Sequence, residues 1–96
     1  MPLTGKQRRQ LRALGHHLEP VVIVGQAGVS EGVIAAVAQA LHDHELIKVK
    51  INEGPDERHE AAEKLAQGTG AELAQLLGRT VLLFKKRDED SEFDDL

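Results

Sequence analysis

Residues 21–30 read Val21-Val22-Ile23-Val24-Gly25-Gln26-Ala27-Gly28-Val29-Ser30, and the fold turns on this stretch. A short, β-branched apolar run of this kind reads as a buried strand. Ser30 is a good N-cap residue, and Ile34, Val37 and Leu41 follow it at helical spacing. The Gly-x-x-Gly segment therefore joins the end of a strand to the start of a helix. Backbone N–H groups and the positive helix pole meet at such a junction and favour an anion, most often a phosphate. The two glycines permit unusual φ/ψ values and close approach of a ligand. Ordinary tight turns use the same residues, so the rest of the chain decides what the loop is worth.

Working outward, the helix predicted from Ser30 to about Asp43 carries the apolar stripe Val33, Ile34, Val37, Ala38 and Leu41. His42 and His44 suit the negative pole at its end and read as caps. Leu46-Ile47-Lys48-Val49-Lys50-Ile51 alternates cleanly and reads as a strand with Ile47, Val49 and Ile51 on the core side and Lys48 and Lys50 on the other. Strand, helix and strand make a βαβ crossover, so the two strands are parallel. The two lysines leave one sheet face at least partly open to water. Upstream, Pro20 opens the first strand, where its missing N–H does no harm. Thr4-Gly5-Lys6-Gln7 matches a capping box, which starts a helix running to about Leu14, with Gly15 as a C-terminal stop. Gln7, Leu11 and Leu14 share one face of it, and Arg8, Arg9 and Arg12 lie opposite. His16 and His17 in the exit loop have no acid cluster or Cys nearby and carry no metal-site spacing.

Beyond the second strand, Asn52-Glu53-Gly54-Pro55 is a turn, and Asp56, Glu57 and Glu60 load the first turns of a third helix with Ala61, Ala62, Leu65 and Ala66 inward. Gly68-Thr69-Gly70 ends it. Residues 71–77 are ambiguous: propensity favours a helix, whereas flanking glycines, short length and the strand that follows favour a strand. Gly78-Arg79 reads as a hairpin turn into Thr80-Val81-Leu82-Leu83-Phe84, which is apolar on both faces and so predicted to be central. Lys85-Lys86-Arg87 follows, and the acidic stretch from Asp88 to Leu96 is predicted to be disordered.

Composition narrows the function classes. The 96 residues point to a single compact domain, and the absence of Cys excludes thiol chemistry and disulfides. No apolar run is long enough to span a membrane, and the first residues lack the apolar centre of a signal peptide, so the expectation is a cytoplasmic protein with no membrane contact. With no Trp or Tyr and two Phe, an aromatic base-stacking platform is not expected. The net charge of −4 hides an uneven distribution. Residues 88–96 hold six acids and no base, which leaves 12 bases and 10 acids, a net of +2, in residues 1–87. Residues 1–17 hold four bases and no acid. Ser30 and Ser91 lack a base partner, no His/Asp/Glu set has metal-ligand spacing, and the glycine loop lacks a Walker lysine or a third glycine. The sequence is thus read as non-catalytic, with no cofactor and no metal.

The chain resembles the YhbY-like family of stand-alone CRM domains (chloroplast RNA splicing and ribosome maturation). The likeness is carried by Leu3-Thr4-Gly5-Lys6-Gln7-Arg8, by residues 18–28 and 31–33, by His44-Glu45-Leu46-Ile47-Lys48-Val49-Lys50, by Gly70-Ala71 and by residues 77–84; it extends to about Arg87. The resemblance implies an α/β domain over residues 1–87 in the order α-β-α-β-α-β-β, with a four-stranded mixed sheet against which the helices pack, and with residues 71–77 as a strand. It implies a KH-like GxxG loop and RNA binding, in bacterial members to the precursor of the large ribosomal subunit, assisting ribosome assembly. Plant organellar relatives use the domain in intron splicing. The RNA-binding residues expected on this basis are Gly25, Gln26, Ala27 and Gly28 in the loop, Lys6, Arg8, Arg9 and Arg12 on the first helix, and Lys48, Lys50, Lys85 and Lys86 on strands. Gln26 and Ala27 stand where many relatives have a basic or more polar residue, so backbone amides carry more of the expected phosphate contact. The expected species is a monomer whose partner is large-subunit rRNA or its precursor, with ribosomal proteins as further partners. A module that docks on a ribosomal protein or assembly factor is the alternative reading.

Overall fold

Thr4 and Gln7 start the first helix reciprocally. In the computed structural model, which describes residues 3–25 and 27–93, the Thr4 N–H donates to Gln7 Oε1 at 2.9 Å and the Gln7 N–H to Thr4 Oγ1 at 3.1 Å. Helix α1 runs Gly5–Gly15. Gly15 is its last helical residue, not a left-handed stop, and its role is contact. A Cβ there would lie 2.6 Å from Leu82 Cδ1, so the glycine lets the end of α1 lie directly on the sheet. Strand β1 (Pro20–Val24) leads through the glycine loop to α2 (Glu31–His44), where Ser30 Oγ accepts the Val33 N–H at 3.2 Å as predicted for an N-cap. A single residue, Glu45, turns α2 into β2 (Leu46–Ile51). Helix α3 (Pro55–Thr69) begins with Pro in its first turn and ends on Gly70 at φ 73. Strands β3 (Glu72–Leu77) and β4 (Thr80–Phe84) form a hairpin whose turn places Gly78 at φ 58.

The sheet order is β1-β2-β4-β3, with β1 and β2 parallel and the other pairs antiparallel. Its two faces have different covers. Helices α2 and α3 bury one face around Val37, Leu41, Ile47, Val49, Ile51, Leu65, Val81 and Leu83. Helix α1 covers part of the other, where Leu11 meets Leu46, Ala74, Leu82 and Phe84. β4 is central, as its two apolar faces predict: Val81 and Leu83 enter one core, Leu82 and Phe84 the other. The β2 alternation also holds, and Lys48 and Lys50 lie on the α1 face. Residues 72–77 form a strand against their propensity because pairing with β4 and burial of Ala74 outweigh it. Leu14 departs from its expected place, being 51% exposed: Gly15 brings the helix down on the sheet, and Leu14 falls at the rim.

Residues 88–93 return to the domain. Phe93 stands edge-on to Phe84 with ring centroids 5.1 Å apart and adds to the smaller core. Ser91 Oγ and the Glu92 N–H donate to the Glu45 carboxylate at 2.6 and 2.7 Å. Asp94, Asp95 and Leu96 lie outside the described residues.

Candidate nucleic-acid interface

The glycine loop sits at one end of the sheet, beyond the C-terminal ends of β1 and β2 and beside the β3–β4 turn. It closes as a tight turn, with the Gly28 N–H donating to the Gly25 carbonyl at 3.0 Å. Its base is tied down on both sides: the Asn52 N–H donates to the Val24 carbonyl at 2.9 Å, and the Ile51 N–H to the Arg79 carbonyl at 2.7 Å. Gly25 and Ala27 are exposed, and Gln26 lies outside the described residues. The two glycines are not equivalent. A Cβ on Gly25 would meet nothing within 4 Å. Gly28 is at φ 83, and a Cβ there would lie 3.3 Å from Glu53 Oε1. The space next to Gly28 therefore already faces a carboxylate, and Glu53 also lines a shallow groove with Glu57 and Arg79. The Gly25 edge is therefore the open one, and the Gly28 edge carries a negative neighbour. The first turn of α2, where the Glu31 and Gly32 N–H groups have no intrahelical partner, adds dipole field beyond the loop.

Helix α1 lies over the sheet face that carries Lys48 and Lys50, so its basic residues and theirs share one side of the molecule. Lys6, Arg9 and Arg12 are exposed and Arg8 is half-buried. Lys50 is exposed, and Lys48 lines a groove of about 480 Å³ with Leu14, Leu18 and Val21. Each of the other two helices carries an acid in its first turn, Glu31 in α2 and Asp56 and Glu57 in α3, whereas α1 has none there. Lys6 and Arg8 oppose the α1 dipole, a local cost of a few tenths of a kcal/mol that a face serving only for solubility would not need. Arg79 is a further base beside the loop; in the sequence it reads only as a hairpin-turn residue.

Lys85 and Lys86 are not brought to the loop. The register pairs Leu46 with Phe84 and Lys50 with Thr80, so both lysines follow β4 at the end of the sheet opposite the loop. Lys85 Nζ donates to the Thr69 carbonyl at 2.7 Å and caps α3. Beside them, Arg87 Nη1 donates to the His42 and Asp43 carbonyls at 2.7 and 3.2 Å. The cation that caps α2 is thus Arg87, where the sequence suggested His42 and His44. A groove along this run is lined by Asp88 and Glu89 as well as by the bases, so the local charge there is mixed.

Glu45 anchors this end. Its side chain is fully buried, and its carboxylate accepts from the Arg87, Ser91 and Glu92 donors with Arg87 Nη2 at 3.4 Å. Burial pushes the carboxyl up, but the hydrogen bonds from Ser91, Arg87 and Glu92 and the Arg87 charge outweigh it and hold Glu45 below its ordinary range. Among the described residues, no group of three or more His, Cys, Asp or Glu is placed to hold a metal ion. No helix among them is long and apolar enough to cross a membrane.

Comparison with known proteins agrees with this architecture. The family model described as CRS1 / YhbY (CRM) domain matches residues 3–85. The chain is similar to the Bacillus subtilis "Probable RNA-binding protein YqeI", 40% identical over 93 residues, 96% of this chain and 97% of the relative. It is similar to the Pseudomonas aeruginosa "Probable RNA-binding protein PA4753", 41% identical over 87 residues, 90% of this chain and 84% of the relative. The solution structure of the hypothetical protein SAV1595 from Staphylococcus aureus, described as a candidate RNA binder, superposes with a TM-score of 0.83 at 36% identity, covering 94% of this chain and 95% of that one.

Proposed function

The chain belongs to the CRS1/YhbY (CRM) domain family, and on that footing we propose that it is a non-catalytic RNA-binding protein. Its proposed target is ribosomal RNA of the large-subunit precursor, bound in the cytoplasm during ribosome assembly. The observation that carries the reading is the one-sided placement of charge. The acid-free helix α1, with Lys6, Arg8, Arg9 and Arg12, overlies the face that bears Lys48 and Lys50. Acids are numerous on α3 and in the segment after β4, and on the basic side Glu19 and Glu92 stand at the groove that Lys48 lines. Such a face attracts phosphates from a distance, and the Gly25 edge of the loop and the first turn of α2 receive one at short range. Lys85 holds α3 and lies outside this surface. Phosphate contacts fix position and supply affinity but carry little sequence information, so the target is read mainly by shape.

The test is a salt titration of binding to a large-subunit rRNA fragment. If four to six phosphates are neutralised, log Kd should change with log salt with a slope of roughly 3 to 5. Affinity that stays flat between low and moderate salt overturns the phosphate model. Gly25→Asp tests the loop, because the site is open and the backbone there needs no left-handed conformation. A folded Gly25→Asp chain should bind about tenfold more weakly. Gly28→Asp is a poorer probe, since φ 83 and the nearby Glu53 disturb folding and binding together.

A further inference from the structure

The end of the α1 face nearest the glycine loop has no cover. The strand register places Ile23 opposite Lys50, Lys50 opposite Thr80, and Thr80 opposite Leu77. These residues form one row across all four strands, and Ile23 ends it two positions before Gly25. Ile23 is 61% exposed on β1 and Leu77 64% on β3, the two edges of the sheet, with Val21 at 52% two residues before Ile23. The other large exposed apolar residues among those described, Leu14 and Leu18, line the adjoining groove with Val21 and Lys48. All of this exposed apolar surface is therefore on one side of the molecule, interleaved with lysines. Single exposed aliphatics are ordinary; several on one face, with cations between them, mark a binding surface.

We propose that the row Ile23–Lys50–Thr80–Leu77 seats unpaired RNA nucleotides, with bases against the aliphatic side chains and phosphates on Lys50 and the neighbouring Arg79. This rests on the RNA-binding reading above and extends it from phosphates to bases. The charge pattern selects the occupant. No acid stands in the row, and the lysine lies between the aliphatic positions, which matches a strand that alternates anionic and apolar groups. A two-fold second copy on the same row would bring Lys50 against Lys50 or against Thr80 and would cover both ammonium groups with no acid in the row to pair with them. A duplex presents phosphates and sugars but no free base face, so it would leave Ile23 and Leu77 in water. Stacking of bases on aromatic rings has little regard to sequence, and apolar contact of a base face with Ile23 or Leu77 would be equally tolerant, which suits a row without hydrogen-bonding specificity.

The experiment compares a single-stranded RNA dodecamer with a blunt duplex of the same sequence, using the full chain and the double variant Ile23→Thr, Leu77→Thr. Threonine is β-branched, which suits a strand, and removes apolar surface at positions already more than half exposed, so the thermal midpoint should scarcely move. The wild type should bind the single strand about fivefold tighter than the duplex, and the double variant should lose about fivefold to tenfold on the single strand. Its duplex affinity should stay within about twofold. Lys50→Gln is an independent variant and should lower the salt slope for the single strand by about one. Unchanged single-strand affinity in the double variant, or equal losses on both RNAs, overturns the base seat while leaving the phosphate reading standing. A wild-type chain that binds neither RNA overturns both. A wild-type dimer that the double variant dissociates assigns the row to a second copy and overturns the proposal.

Discussion

Glu45 occupies backbone space that residues with a side chain seldom occupy, at φ 66 and ψ −43. A conformation of this kind costs on the order of 1–3 kcal/mol and persists only where its surroundings impose it. The surroundings here are explicit. The Glu45 N–H ends α2 on the Leu41 carbonyl at 2.8 Å, the Glu45 carbonyl accepts the Lys85 N–H at 2.8 Å, and the carboxylate gathers donors from Arg87, Ser91 and Glu92. A turn of one residue between a helix and a central strand is thereby joined to the chain's last described segment. Because the folded carboxyl titrates below its ordinary 4.5, its contribution to stability is fully present above that value and is lost as pH falls through the lower folded value. Glu45→Gln should cost about 1–3 kcal/mol at neutral pH, by leaving the Arg87 charge and the amide donors poorly matched. The gap between variant and wild type in urea unfolding should narrow steadily on acidification. A gap that stays constant down to about pH 3 would show that the ionised form is not what matters.

At the scale of elements, the docking of α1 depends on Gly15 and the ends of α2 and α3 depend on cations. Gly15→Ala should raise the intrinsic helix propensity of α1 by about 1 kcal/mol. The added methyl would nevertheless overlap Leu82, so a net destabilisation of about 1–2 kcal/mol is expected, read as a lower urea midpoint. A stabilised variant would mean that Leu82 yields to the added methyl and that close contact with the sheet is not what requires Gly15. Lys85→Met should cost about 0.5–1 kcal/mol through the lost Thr69 contact and leave RNA affinity unchanged. A clear loss of RNA affinity would return Lys85 to the binding surface. These two residues show what the sequence could and could not convey. Local signals set the elements: the Thr4/Gln7 box, the Ser30 cap, the β2 alternation and the two apolar faces of β4 are all short-range patterns and all hold. The caps are long-range. Lys85 reaches Thr69 over 16 residues and Arg87 reaches His42 over 45, so a basic run after a strand looks the same whether it meets RNA or a helix end. Residues 72–77 show the same limit in reverse, since their propensity favours a helix, the flanking glycines and the following strand favour a strand, and pairing with β4 decides for the strand.

The whole molecule has a polarity that no single element carries. One side presents α1, Lys48, Lys50 and the Gly25 edge of the loop. The opposite end of the sheet holds Glu45, the capping cations and the acidic residues that follow them. Glu92 lines the same groove as Lys48, so the acidic segment reaches the margin of the basic side, where on the proposed reading its charge would oppose the approach of RNA. Deleting the segment would test this badly, because Ser91 and the Glu92 N–H satisfy the buried Glu45 carboxylate. Neutralisation separates the two roles: Asp88→Asn, Glu89→Gln, Asp94→Asn and Asp95→Asn together remove charge and leave Ser91, Glu92 and Phe93 in place. The association rate with an rRNA fragment should rise about threefold to tenfold at low ionic strength, as expected for electrostatic steering. At about 1 M salt, where screening acts within about 3 Å, the rates of variant and wild type should converge. Thermal stability should change little, since the contacts to Glu45 remain. Equal association rates at low salt would place the acidic segment outside the path of the RNA and leave the contacts at Glu45 and Phe84 as its role in the molecule.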